Sequence, residues 1–455
     1  MRRSEPPLAP SGDLEHRANP NLNPGARASE ACAGGPNRRP CAMPRLSHLR
    51  QSGARGDHRV SAMELFFDLV FVFAVTQLSH YLLEHHTLAG ALQTLVMFLA
   101  IWWAWVYTAW ATNWLDPDRA PVRVKLAVLM LLSLIVSSAI PRGFGAYGLA
   151  FALAYVAIQV SRTLYTAWAK GEWRPGASKN MTRASLYFIL AAPLWIAGGL
   201  DSDPARRLAW WSAALALQYS GPLLFFAIPG LGRSTPREWN ISGAHMAERC
   251  ALFIIISLGE GILVTGATFA ELAPSRPAML AFLSAFLATV AMWWIYFDVG
   301  ARRASEMIEH DRTPGLIGRA AYTYGHIPIV AGIIVLAVAD EQVLAHPTGR
   351  SEPFLIASLL GGAFLFIGGT MVFKRLTSAS GWWPLSHLAG LGLFALHGLW
   401  ALAARPQPLL LHGAATLLFA VVAVWEWGSF HGGWSERWAR WRKRWGSDAR
   451  ARQAD

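Results

Sequence analysis

From Ala62 onward the apolar residues come in long blocks, parted by short polar stretches rich in Pro, Gly, Asp and Arg. Blocks of about 17 to 25 residues are the length a helix needs to cross a bilayer. Twelve can be drawn, at 62–84, 89–111, 124–140, 147–169, 184–200, 208–228, 246–270, 278–300, 321–339, 354–374, 384–403 and 409–428. Backbone groups inside hydrocarbon must pair within the segment, and these blocks are too long and too uniformly apolar for barrel strands. The pattern therefore predicts an all-α, polytopic integral membrane protein of about twelve transmembrane helices. It divides into a basic N-terminal tail (1–60), a first membrane half (61–229), a second (230–428) and a basic, aromatic tail (429–455).

Composition agrees with that picture. Of 455 residues 54% are hydrophobic and only 15% charged, and the mean hydropathy is +0.31, well above an ordinary soluble chain. Many of the 22 tryptophans stand at block ends, as in Ala209 to Trp211 and Gly381 to Trp383, which suits an interfacial aromatic belt. The formal charge of +12 would suit nucleic acid, but its placement excludes that partner. Much of it lies in the first 60 residues, a stretch rich in Arg, Pro, Gly and Asn that reads as solvated tail, with Met43 a possible alternative start. The rest includes Ser435 to Trp445, "SERWARWRKRW", suited to an anionic membrane surface, so membrane lipids are the expected partner. Cys32, Cys41 and Cys250 support neither a disulfide framework nor zinc-like spacing. "HYLLEHH" (His80 to His86) lacks a complete ligand set, so no metal and no cofactor is expected.

Lys and Arg give the orientation. Loops on one side hold only Arg142, Arg206, Arg207, Arg276, Arg350 and Arg405 of the 40 such residues, Arg162 stands inside a block, and the remainder falls on the other side. By the positive-inside rule both termini are cytoplasmic. A repeat is also visible. "IWWAWVYTAW" (Ile101 to Trp110) closes block two and "AMWWIYFDVG" (Ala291 to Gly300) closes block eight, while Glu64 and Glu248 open blocks one and seven. A shift of six blocks is even, so two parallel six-helix halves would result; independent clustering of Trp at an interface is the other reading.

Ionisable residues inside the blocks are the candidate site. In "MELFFDLVFVFAVTQL" (Met63 to Leu78), Asp68 lies about 9 Å into the first helix and one turn beyond Glu64 on the same face. Arg249 and Glu260 share a face of the seventh, with Glu260 about 18 Å beyond Glu248. Asp298 and His326 fall at the cytoplasmic ends of blocks eight and nine. The ionisable residues thus concentrate in the inner half, as if lining one vestibule. Glu64, Glu248 and Asp298 also fit a purely interfacial role. Asp68 and Glu260 are costly in hydrocarbon and read either as a functional pathway or as structural partners of Arg249, Arg162 or backbone groups. His326 precedes Pro328, which should break the helix and free a carbonyl near the imidazole.

Four of these stretches, "MELFFDLVFVFAVTQLSHYL", "AERCALFIIISLGEGIL", "WWIYFD" and "YTYGHIPIVAGIIVLAVADEQVLAHP", in this order, resemble the bacterial low temperature requirement protein A family from about Asp57 to the C-terminal helices. That resemblance implies a multi-pass membrane protein and no defined reaction. "FFDLVFVFAVTQL" is also similar to the F-S-D motif of a family of lysosomal and prokaryotic potassium channels, although Phe67 replaces the usual Ser, Glu64 stands where no acid is expected, and block seven lacks the motif. This second similarity implies a helix-packing or pore-lining face made by Asp68, Phe71, Ala74 and Thr76. Three functional classes follow. Buried acids carrying a cation or small solute lead. An enzyme using Asp68, Glu260 and His326 on a lipid-soluble substrate has no nucleophile motif or nucleotide loop behind it. A lipid sensor or scaffold leaves the deep acids without a role.

Overall fold

The structure, a computed structural model, describes residues 48–50, 60–172, 179–311, 313–378 and 381–430. Most of the N-terminal tail and the basic aromatic segment 435–445 lie outside the described residues. The helices are α1 (Ala62–Glu84), α2 (Leu88–Trp114), α3 (Ala120–Ala139), α4 (Gly148–Lys170), α5 (Asn180–Leu200), α6 (Pro204–Leu223), α7 (Gly243–Glu271), α8 (Arg276–Tyr296), α9 (Arg302–His310), α10 (His326–Ala345), α11 (Pro353–Leu376), α12 (Leu385–Ala404) and α13 (Pro408–Phe430). Their starts follow local sequence. Ser61, Thr87, Asp203, Ser242 and Ser275 accept first-turn N–H groups of their helices, and Ser61 with Glu64 closes a capping box.

Eleven segments of the described chain are long and apolar enough to cross a membrane. The twelfth expected span, α6, falls short in hydropathy because it carries Arg206, Arg207 and Gln218, yet it lies along α2 over much the same depth. Leu208 stands by Leu92 and Leu95 at one end. Tyr219 stacks on Trp103 and donates to the Leu99 carbonyl near the other. Arg207 is buried and donates to the carbonyls of Gly143, Gly145, Gly198 and Asp201, tying its end of the helix to two neighbouring loops. A Cβ at Gly148 would meet the Arg207 Cζ at 2.4 Å, so that position has no room for a side chain. Beside it Arg206 donates from Nε and Nη2 to Asp201 and holds that half-buried carboxyl down at about 2, so the corner stays charged at physiological pH.

The pairing of helices repeats. In the first half α1 packs on α2 and α3, the chain then follows α3, α4, α5 and α6 as successive neighbours, and α6 returns to α2. In the second half α7 packs on α8 and α10, then α10, α11, α12 and α13 follow, and α13 returns to α8. The sixfold shift legible in the sequence thus recurs as one neighbour pattern, with short α9 as the insertion. α10 and α11 approach most closely, since a Cβ at Gly332 would meet the Phe366 nitrogen at 2.6 Å. The halves meet where α1 and α2 face α7 and α10.

Two details depart from the sequence reading. Block eight is not α-helical throughout: α8 ends at Tyr296, a π-helical turn spans Phe297–Ala301, and amphipathic α9 follows. Trp102, Trp103 and Trp105 are fully buried at the seam rather than interfacial, whereas Trp382 and Trp383 do stay exposed.

A charged seam and a separate deep acid

The side of the bundle where α1 begins is called near here, and the opposite side far. α1 and α7 run parallel with their N-cap serines level, so positions equally far from Ser61 and Ser242 face each other. His245 Nε2 lies 2.9 Å from Glu64 Oε1, and Arg249 Nη2 lies 2.7 Å from Asp68 Oδ1. Arg249 Nη1 adds a 3.1 Å contact to Glu64. Trp105 of α2 donates to the same Asp68 oxygen at 2.8 Å, leaving Oδ2 without a hydrogen bond. Asn113 of α2 stands 3.3 Å from the other nitrogen of His245. Glu64, Asp68, His245 and Arg249 are all buried. Two acids therefore face one guanidinium and one imidazole across the seam between the halves.

Arg50 completes the cluster from outside the first helix. It donates to Glu64 at 3.1 Å and to the Thr112 carbonyl at 2.9 Å, while the Arg50 backbone N–H donates to Trp114 and the Asp116 N–H to His48. Residues 48–50, assigned to the solvated tail by composition, thus lie against the end of α2. Chains started at Met43 and at Asp57 should separate on this point. The first should melt like the full protein, and the second should lose about 1.5–3 kcal/mol, the worth of hydrogen bonds to a charged group. Thermal unfolding in detergent would show it.

Glu260 is in different surroundings. It lies opposite Thr76, eight residues and about 12 Å beyond Asp68, past the middle of the bundle rather than in its near half. The Thr76 hydroxyl donates to Glu260 Oε2 at 2.5 Å, and Oε1 has no hydrogen-bond partner. Glu260 is 1% exposed, and no Lys or Arg of the described residues is ion-paired with it. Glu341 of α10 and His80 of α1 stand close enough to act on it electrostatically. Between Asp68 and Glu260 the seam is filled by aromatic rings. Phe253 packs on Phe71 at 6.5 Å, on Trp105 at 4.3 Å and on Trp102 at 5.5 Å.

The remaining candidates do not join either cluster. Glu248 is exposed and caps the Val60 N–H. Asp298 sits in the π-turn, where its charge acts on Lys374. His326 is enclosed: Nε2 lies 2.7 Å from the Tyr296 hydroxyl and Nδ1 lies 2.9 Å from the Ala321 carbonyl. Pro328 is not what frees the carbonyl beside the ring: Ala321 lies seven residues before it and is released because Gly318–Tyr324 is π-helical and the Gly325 N–H bonds Ala320 instead. Another, Thr323, accepts from Trp102. The single vestibule expected from the sequence is therefore replaced by separate sites, and Asp68, Glu260 and His326 do not converge as an acid–base set. Among the described residues Arg162 pairs with no acid; it donates to Gln159 and to the Ala104 carbonyl between the Tyr107 and Phe188 rings. No group of three metal-ligating side chains occurs among the described residues.

Sequence reading missed His245, Arg50, Trp105 and Glu341. A signal for the first was present, since Ser61, Glu64 and Asp68 have the same spacing as Ser242, His245 and Arg249.

Fold and seam define a polytopic helical membrane protein with a charged joint between two halves. Residues 59–424 match the family model described as bacterial low temperature requirement A protein, and the chain belongs to that family. It is 39% identical over 370 residues to an uncharacterized protein of Rhizobium meliloti (strain 1021), covering 81% of this chain and 89% of the relative. No solved structure matches.

Proposed function

We propose that this protein moves a proton or small cation across the membrane along the seam of α1, α7 and α10, with Glu260 as the acid that carries it. The observation behind this reading is that Glu260 is a buried carboxylate beyond mid-bundle, met by the hydroxyls of Thr76 and Ser79, with no Lys or Arg ion-paired to it among the described residues. An isolated carboxylate there is costly unless a proton or cation neutralises it. Asp68, by contrast, has Arg249 and acts as part of the joint. Phe71, Trp105 and Phe253 form the barrier between the near cluster and Glu260, which describes a closed state, and movement of the two halves about the seam would open it. Purified protein in liposomes, scanned over Na⁺, K⁺ and pH gradients, should give flux above empty vesicles for at least one of them; vesicle-level flux under every gradient would refute the reading.

The orientation belongs to the same proposal: the near side is cytoplasmic, and the membrane is the bacterial inner membrane. In a chain with Cys32, Cys41 and Cys250 replaced by Ser, Thr348→Cys on the far side should react with an impermeant maleimide in intact cells, and Glu309→Cys on the near side should not. Labelling of the second alone would reverse the orientation.

A further inference from the structure

α10 carries acids back to back. Glu341 is near enough to α1 for His80 to act on it, whereas its neighbour Asp340 bonds α13. Asp340 Oδ1 lies 2.7 Å from His412 Nε2. The other ring nitrogen of His412 lies 2.8 Å from the Ser284 hydroxyl of α8, which in turn lies 3.0 Å from the Thr416 hydroxyl. Asp340 and His412 are 3% and 2% exposed. They lie within two turns of the far-side ends of their helices, about 6–8 Å along the axis.

We propose that Asp340, His412 and Ser284 form a proton-binding site, loaded from the far side of the membrane. Charge and hydrogen bonding both point to it. Among the described residues no Lys or Arg is ion-paired with Asp340, so His412 is its one basic partner. With a proton on the pair, its net charge in the low-dielectric interior is zero; without it, a bare negative charge remains. The hydrogen-bond network accommodates both states. A hydroxyl donates to a neutral imidazole and, by rotating, accepts from an imidazolium, and Thr416 can donate to either the Ser284 or the His412 carbonyl while Ser284 turns. His326 is built differently, because its Nδ1 faces a carbonyl that can only accept.

The surroundings add one further titratable group. α12 brings His397, which is 7% exposed, has an Nε2 without a partner and acts electrostatically on His412. α8 and α13 otherwise contribute hydroxyls alone, and Gln342 of α10 is bonded to Ser358 of α11. His397 is thus the titratable group that α12 turns toward the pair. This inference goes beyond the transport reading and does not depend on it, since the pair would bind its proton whether or not Glu260 carries flux.

The test is nuclear magnetic resonance of the full chain in lipid nanodiscs with ¹⁵N-labelled histidine, the His412 signals being assigned by their loss in His412→Gln. Between pH 4 and 9 those signals should titrate reversibly. Asp340→Asn should move the midpoint down by about one pH unit or more, through loss of the carboxylate that stabilises the imidazolium. Ser284→Ala, a milder change, should move it down as well by removing the acceptor of the imidazolium N–H, and it serves if Asp340→Asn does not fold. His412 signals fixed over the whole range, or a midpoint untouched in every folded variant, would overturn the proposal.

Discussion

Arg249→Met, made with Glu64 and Asp68 left in place, is expected to destabilise the bundle by about 3–5 kcal/mol, the range for removing one partner from a buried ion pair. Asp68 would keep only the Trp105 N–H, and Glu64 would keep Arg50 and His245. The loss therefore falls mainly on Asp68, which is 0% exposed. Adding Asp68→Asn should restore most of the stability, because the amide keeps the shape and still accepts from Trp105 while carrying no charge. Unfolding curves of the wild type, both single variants and the double variant would measure this coupling as a cycle. Additive losses would mean that the contact contributes nothing to joining the halves.

Glu260→Gln should have the opposite profile. The amide oxygen can still accept from Thr76, and no ion pair is broken, so the melting temperature should stay close to that of the wild type. Flux in proteoliposomes should fall by at least about tenfold, a barrier change of ~1.4 kcal/mol, since an amide neither binds nor releases a proton at accessible pH. Thr76→Val, which removes one hydroxyl donor and leaves Ser79, should weaken flux less. A Glu260→Gln protein that melts far below the wild type would instead make Glu260 a structural residue.

Much of the fold was legible in the order of apolar blocks. The 62–84 and 354–374 blocks reappear as Ala62–Glu84 and Pro353–Leu376 almost unchanged, because capping residues and prolines mark their ends. The turn after Tyr296 was not legible, since a π-turn continues the same apolar composition through Phe297. The site was legible in its residues and only in part in its partnerships, with Arg249 one of several partners open to Asp68. Hydropathy places Asp68 and Arg249 at similar depth, but nothing in either helix alone says that α1 and α7 are neighbours. Their matched spacing from two N-cap serines was the available clue, and aligning Glu64 with Glu248 obscured it; the caps align Glu64 with His245. Arg50 was hidden for a different reason, because it belongs to a stretch whose composition is that of a solvated tail.

The most direct test of the central claim, that Glu260 carries the charge while Asp68 and Arg249 hold the halves together, compares two variants in one flux assay. Proteoliposomes containing Asp68→Asn/Arg249→Met, and others containing Glu260→Gln, would be driven by the gradient that moves ions through the wild type. Substantial flux through the first and at least about tenfold less through the second is the predicted result. Flux lost in the charge-neutral double variant and retained in Glu260→Gln would contradict the account.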